Sequence, residues 1–375
     1  MSSLRHWDRC INHRGTDTRR FVADYFGEGN RHALLIAGVG FDPRSATVCE
    51  MLHAVLGTRL AGLFIREERP DPGRELVKRA ARSYDQMVEI LPAFKEATVD
   101  VFAPDGAVIG GRNAVRVVHE LSLNEITDVI VDFSALSIGV AFPLVRLLFD
   151  RVRAGAESFN LHLMVTDEPA TDDQIFPTAC DIVETIHGFK GGFGLFDNTR
   201  AARLWLPQLI RGRNTVLDKI HSYFRPHDVC PVLPFPASHP RLGDELIEQY
   251  SSEFESTWGV DTRNIVYADE KKPLDLYRTI LRIDEARRPV FEGTGGSMIV
   301  LSPTGSKVLA IGALMAALER DFPVAHVEAI AYTVDFKKMD SLRTGCGEVV
   351  HIWLYGDAYT NTALSEVNHY EEPKV

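Results

Sequence analysis

Ala33-Leu34-Leu35-Ile36-Ala37-Gly38-Val39-Gly40-Phe41-Asp42-Pro43-Arg44-Ser45 joins a short apolar run to a glycine-bearing turn and a polar helix start. The apolar run ending in Gly38 suits a buried strand. After Ser45, Val48, Met51, Leu52 and Val55 share one face at helical spacing. A strand, a tight turn and a helix make half of a βαβ unit, and the same alternation continues along the chain. Leu60 to Ile65, Thr98 to Phe102, Asp128 to Phe133 and Leu161 to Val165 read as further strands. Between them Glu75 to Leu91, Arg112 to Leu121 and Gly139 to Ala154 read as helices. Such a series implies a mostly parallel sheet with helices on both faces. The fold class expected is therefore α/β: a Rossmann-like, mostly parallel sheet flanked by helices, in two lobes.

Residues 1–30 form a preface and residues 31–166 the N-terminal Rossmann-like lobe. Residues 167–240 differ: glycines gather around Gly188 to Gly194, and five prolines fall between Pro226 and Pro240. This Gly/Pro-rich middle reads as a connection, with Arg203 to Ile210 a strand or short helix. Residues 241–375 then read as a second Rossmann-like lobe. Its strands are Asn264 to Tyr267, Ser297 to Leu301, Ala325 to Ala331 and Val349 to Tyr355; its helices are Leu242 to Glu255, Pro273 to Ile283 and Ser306 to Arg320.

Two turns carry the anion chemistry. In the first, Gly38 and Gly40 let the chain turn tightly, and Asp42, Arg44 and Ser45 sit at a helix start whose N–H groups favour an anion. The pattern is neither G-x-G-x-x-G nor a Walker A loop. In the second, Ser302-Pro303-Thr304-Gly305-Ser306-Lys307 places hydroxyls, a glycine and a lysine at another helix start. A lysine there opposes the helix dipole, which makes it informative. The structural alternative is plain capping by Asp42 and Ser306. Asp132 and Ser134 follow a strand, at the edge where open parallel sheets bind ligands. Phe189, Gly191, Gly192 and Phe193 form a lid candidate, with aromatics free to stack on a base.

The chain holds 41 Lys+Arg against 52 Asp+Glu, a net charge of −11. That disfavours general nucleic-acid binding and leaves room for a small anion. The five cysteines are widely spaced and no C-x-x-C occurs, so neither a disulfide framework nor a zinc ribbon is expected. The 13 histidines form no H-E-x-x-H or H-x-H, so no metal site is expected. The most apolar stretch, Val129 to Phe149, is broken by Asp132, Pro143 and Arg146, so no membrane span is expected. With no apolar leader in residues 1–20, the expected compartment is the cytoplasm. No nucleophile elbow or triad is visible.

The strand–Pro303-Thr304-Gly305-Ser306-Lys307–helix segment resembles the strand–TGGTK–helix signature of CRISPR-associated Rossmann-fold (CARF) sensors and related SAVED domains. It departs from that signature in that one glycine is replaced and Ser306 precedes the lysine. The wider series Gly40-Phe41-Asp42-Pro43-Arg44, Asp132-x-Ser134 and Pro303-x-Gly305-x-Lys307 resembles a bacterial family of mobile defence loci, over residues 33–332. The resemblance implies a sensor of a nucleotide or nucleotide-derived signal in an antiviral defence complex, with Thr304, Gly305 and Lys307 on the ligand. The functional expectation is a regulatory protein binding a small phosphorylated ligand, with nucleotide as the cofactor candidate. A neighbour-encoded protein partner or a homo-oligomer would carry the signal. Two alternatives stand beside it. One is an enzyme acting on a nucleotide, a hydrolase or transferase with Asp42, Asp132 or Asp167 as base or metal ligand. The other is an interaction scaffold in which the turns are structural.

Overall fold

The computed structural model describes residues 5–189, 201–342 and 347–359. In chain order its strands are β1 (Asn12–Arg14), β2 (Ala33–Gly38), β3 (Leu60–Glu68), β4 (Phe94–Asp100), β5 (Asp128–Asp132), β6 (Asn160–Asp167), β7 (Ile175–Ala179), β8 (Glu184–Thr185), β9 (Ala202–Pro207), β10 (Asp228–Val229), β11 (Val232–Pro234), β12 (Val266–Ala268), β13 (Ser297–Ser302), β14 (Ala325–His326), β15 (Ala329–Val334) and β16 (Glu348–Tyr355).

The first sheet has seven strands in the order β1-β16-β6-β5-β2-β3-β4. Strands β4, β3, β2, β5 and β6 are parallel, and the fold is a Rossmann-like α/β layer. All residues of β2 and β5 are buried, as befits central strands covered on both faces. The chain leaves β2 toward β3 on one side and β5 toward β6 on the other, so a switch point lies between β2 and β5.

The second unit is built around β9, which has β10 and β13 as parallel neighbours. Strands β11 and β12 pair in parallel, and a bridge from Gln208 to Val232 links them to the end of β9. Thus Ala202–Pro207 is the central strand of a second parallel sheet, although the sequence reading places it in a connecting segment. Strand β16, read as part of the C-terminal lobe, pairs antiparallel with β6 and closes the first sheet. The second unit is therefore an insertion between β6 and β16. The first thirty residues are more than a preface. Strand β1 pairs with β16, and Trp7 is fully buried, its indole N–H donating to the Leu354 carbonyl at 2.8 Å. These pairings join residues more than 180 positions apart, which local periodicity cannot reveal.

The helix Lys307–Arg320 ties the units together. Ser306 caps it by accepting the Leu309 N–H at 3.3 Å, and Val308 to Leu318 are all buried. An apolar surface all round requires neighbours all round. It packs against the helix Pro273–Phe291 of its own unit, and against β6 and the helix Ile138–Arg153 of the first. One hydrophobic cluster accordingly runs from Ile36, Val131 and Leu144 through to Ile311, Leu314 and Ile299. Gly312 sits where the chains approach most closely. A Cβ there would lie 2.2 Å from the Pro273 carbonyl oxygen.

A polar chain crosses the far side of the first sheet. His13 Nδ1 lies 3.0 Å from His351 Nδ1, His351 Nε2 lies 3.0 Å from His162 Nδ1, and His162 Nε2 lies 3.1 Å from Asp128 Oδ1. Tyr25 donates to the same carboxylate oxygen at 2.8 Å. A neutral imidazole has one donor and one acceptor, so an ionised Asp128 orders the whole row. His162 donates to Asp128, His351 to His162, and His13 to His351. Burial holds His351 well below the ordinary imidazole value of 6.5, and the neighbouring histidines push it the same way. Burial also lowers His162 and His13, against the opposing carboxylates of Asp128 and Asp17.

Two outcomes follow from this packing. Gly312→Ala gains about 1 kcal/mol of helix propensity yet places a methyl against backbone that no rotamer can move. Chemical denaturation should show a net loss of about 1–3 kcal/mol. For the histidine row, the unfolded rings take up protons below pH 6.5 that the folded rings refuse. Stability is thus full above that pH and falls on acidification. The denaturation midpoint should drop between about pH 7 and pH 5, and His351→Leu should flatten that slope while lowering stability throughout.

Candidate functional site

Parallel strands followed by helices put loops and helix N-termini at one end of a sheet, and here both units turn that end toward the same space. A cleft of about 490 Å³ lies there. Its first wall is Val39 to Asp42 after β2, Ile65 to Arg69 at the end of β3, and Ala135 to Ile138 after β5. Its second wall is Leu209 to Arg211 and Arg213 after β9, Ser238 and His239 after β11, and Pro303 to Lys307 after β13. The first wall is the switch point of an open parallel sheet, the usual ligand position in such folds. Strands β7 and β15 pair antiparallel and border the cleft, and Tyr332 of β15 meets Phe41 of the first wall with ring centres 5.3 Å apart.

The structure brings five sequence candidates into one buried knot. Asp42 receives Arg44 in a fork, Nε to Oδ1 at 2.9 Å and Nη2 to Oδ2 at 2.7 Å, and Arg44 also reaches Asp172 at 2.7 Å. Asp132 Oδ1 accepts the Ser134 backbone N–H at 2.8 Å and the Ser134 hydroxyl at 2.6 Å. Lys307, from the second unit, donates its ammonium to the Ser134 carbonyl. Burial raises the Asp132 carboxyl to about 6, against the pull of the Ser134 hydrogen bonds. Burial lowers the Lys307 ammonium, with Asp42 acting the other way. Burial would raise the Asp42 carboxyl, but the Arg44 guanidinium, with Lys307, outweighs it and holds Asp42 below its ordinary carboxylate range. The knot joins the two units and consumes the charges that the sequence offers to a ligand.

The remaining candidates divide. Gly40, Thr304, Gly305 and Ser306 line the cleft. Thr304 spends its hydroxyl on the Gln208 carbonyl, and Ser306 spends its own on the helix cap. Ser302 is buried away from the cleft, accepting the Trp205 indole N–H at 2.8 Å. Ser45 is buried too, its hydroxyl donating to the Asp42 carbonyl at 2.7 Å. Gly38 serves backbone packing, since a Cβ there would lie 2.8–2.9 Å from the Ala135 carbonyl and the Leu136 nitrogen. Asp167 is held by Arg14 at 2.5 Å. Phe189, the first lid residue, is fully buried core, edge-on to Phe142 with ring centres 5.9 Å apart and Arg146 over its ring. Gly191, Gly192 and Phe193 lie outside the described residues. Among the described residues no cluster of three or more metal-ligating side chains occurs.

Sequence reasoning misses the charges on the cleft wall. Arg69 pairs with Glu67 and with Glu328, each at 3.0 Å, and donates to the Ala329 carbonyl at 2.9 Å. Glu67 accepts the Ser137 N–H at 2.7 Å, and Glu328 lies against Gly139 in the first turn of the helix Ile138–Arg153. Two protein carboxylates therefore already occupy that helix N-terminus. Burial would raise Glu328, but His326, Arg69 and the Ala329 N–H outweigh it and lower its carboxyl to about 2. Arg213 is different. It is half-buried on the cleft wall, and burial lowers its guanidinium against the weaker influence of Tyr332 and Tyr250. Arg44, Arg66, Arg69 and Arg211 each hold a carboxylate, and Lys307 holds a carbonyl. Among the described residues Arg213 holds neither. No spacing rule marks these residues, because they come from separate loops.

Comparison with known proteins adds little to this geometry. No protein-family model and no curated protein matches the chain. Among solved structures it is similar to a human methyltransferase 10 domain containing protein at 12% identity and a TM-score of 0.21, over 44% of this chain and 75% of that one.

Proposed function

We propose that the chain is a ligand-binding regulatory protein whose cleft takes a small phosphorylated molecule of the nucleotide class. The observation that carries this reading is the meeting of two parallel sheets, carboxyl end to carboxyl end, on one cleft of about 490 Å³. A volume of that size suits a nucleotide-sized ligand. Helices that start at Lys307 and Asn214 direct their N-termini toward that side, and Arg213 adds a cation that no carboxylate among the described residues engages. The resemblance of Pro303-Thr304-Gly305-Ser306-Lys307 to the CARF signature supports a sensor of a nucleotide-derived signal in bacterial defence, with a protein partner as the receiver. In this reading Thr304 to Ser306 present backbone to the ligand. Lys307 acts indirectly, by fixing the loop after β5 to the helix after β13.

The shared core constrains how such a sensor signals. A helix buried between the two units resists a hinge, so the response to ligand is confined to the loops that border the cleft. A nucleotide panel, followed by calorimetry and thermal shift, tests the reading. Gly40 lines the cleft, and an added Cβ there meets nothing within 4 Å. Gly40→Trp should therefore fill the cleft, leave stability within about 0.5 kcal/mol, and abolish nucleotide binding. Absence of binding by the native chain, or equal binding by Gly40→Trp, would refute the proposal.

A further inference from the structure

The charge inventory of the cleft says more about the ligand than its volume does. Among the described residues six Lys and Arg side chains line it: Arg44, Arg66, Arg69, Arg211, Arg213 and Lys307. Among the described residues the first four are neutralised by carboxylates, and Lys307, half-buried, donates its ammonium to the Ser134 carbonyl. A guanidinium already bound to a carboxylate cannot offer the same donors to a phosphate without leaving that carboxylate bare, which is costly when it is buried. Arg44 at 4% exposure and Arg69 at 10% are in this position. Among the described residues that line the cleft, the guanidinium with no carboxylate partner is Arg213. The acidic side is the reverse. Glu68 and Asp71 line the same cleft, and no cation or donor engages either carboxylate among the described residues.

We infer that the ligand carries a single phosphoryl group, seated on Arg213, and a neutral hydroxyl- or amine-bearing part that faces Glu68 and Asp71: a nucleoside monophosphate rather than a triphosphate. This rests on the reading of the cleft as a nucleotide site. Each phosphate monoester brings about −1.5 to −2 charges. One such group finds a planar five-donor partner in Arg213. Additional phosphoryl groups would meet committed cations and two unneutralised carboxylates, and like charge brought into a partly enclosed cleft is disfavoured. The carboxylates, in turn, are acceptors for ribose hydroxyls or an exocyclic amine.

Calorimetry of the full chain with nucleosides, nucleoside monophosphates and nucleoside triphosphates of the four common bases, in magnesium-free buffer, separates the cases. For the preferred base the monophosphate should bind roughly 10- to 100-fold more tightly than the bare nucleoside, the range of a charge-assisted hydrogen-bond set. The triphosphate should bind more weakly than the monophosphate. Arg213→Ala should bring the monophosphate down to the affinity of the nucleoside, and Arg213→Lys, which keeps the charge and the fold but loses the fork, should fall between. Glu68→Gln should weaken nucleoside and monophosphate by the same factor. A triphosphate that binds as tightly as the monophosphate overturns the inference while leaving the cleft a nucleotide site. So does a folded Arg213→Ala or Arg213→Lys protein with undiminished preference for the monophosphate. If no compound of the panel binds, the nucleotide reading falls, and this inference with it.

Discussion

The helix Lys307–Arg320 must satisfy two sheets at once, and the architecture depends on that demand. A helix with one apolar stripe can close one core. This one is apolar through eleven consecutive buried residues, from Val308 to Leu318. Water cannot cover any face of it without forfeiting the burial that stabilises it. The first sheet supplies one cover, through β6 and the helix Ile138–Arg153, and the helix Pro273–Phe291 supplies another. Gly312 marks how close that second approach is. The cleft is the space left above this helix once both sheets have closed on it.

Fixing the helix also fixes its first residue. Lys307 is carried into a half-buried position near Asp42, Arg44 and Asp132. An isolated ammonium there would be very costly, and the surrounding carboxylates and the Ser134 carbonyl make it tolerable. The cluster in turn orders the loops after β2 and β5. What resembles a phosphate-binding turn in the sequence acts largely as an ionic joint between units, and the surface left for a ligand is its outer rim. The same economy recurs at Arg69, which stands between Glu67 and Glu328 over the first turn of another helix. The protein places its own carboxylates where a foreign anion would otherwise sit.

Much of the first sheet is legible in the sequence. Strand β2 is an unbroken apolar run and β5 has Val129, Ile130 and Val131 between two aspartates, because parallel strands covered on both faces need no polar alternation. The helices between them show clear 3.6-residue spacing. What stays hidden is every pairing set by distant sequence. Strands β1 and β16 are ordinary short strands until their partners are known, and β9 sits in a segment whose glycines and prolines read as linker. The cleft is half legible. Gly40, Asp42, Arg44 and Lys307 stand in recognisable turns, yet which of them faces a ligand depends on burial, and burial depends on the second sheet. Arg69, Arg213 and Glu328 carry no signal, since each is a single charged residue in a loop. Phe189, aromatic and beside glycines, looks like a lid, and is core because Phe142 and Arg146 enclose it.

The insertion between β6 and β16 has a consequence for the newborn chain on the ribosome. Among the described residues strand β1 pairs only with β16, Asn12 opposite Ile352, and β6 waits for the same strand. Translation must deliver the whole second unit before either edge can close. Until then β6 presents an open row of backbone donors and acceptors, and Trp7 lacks the Leu354 carbonyl that anchors it. Such late-closing, long-range pairing is slow, and it leaves the first sheet exposed to misassembly for as long as the second unit is being made.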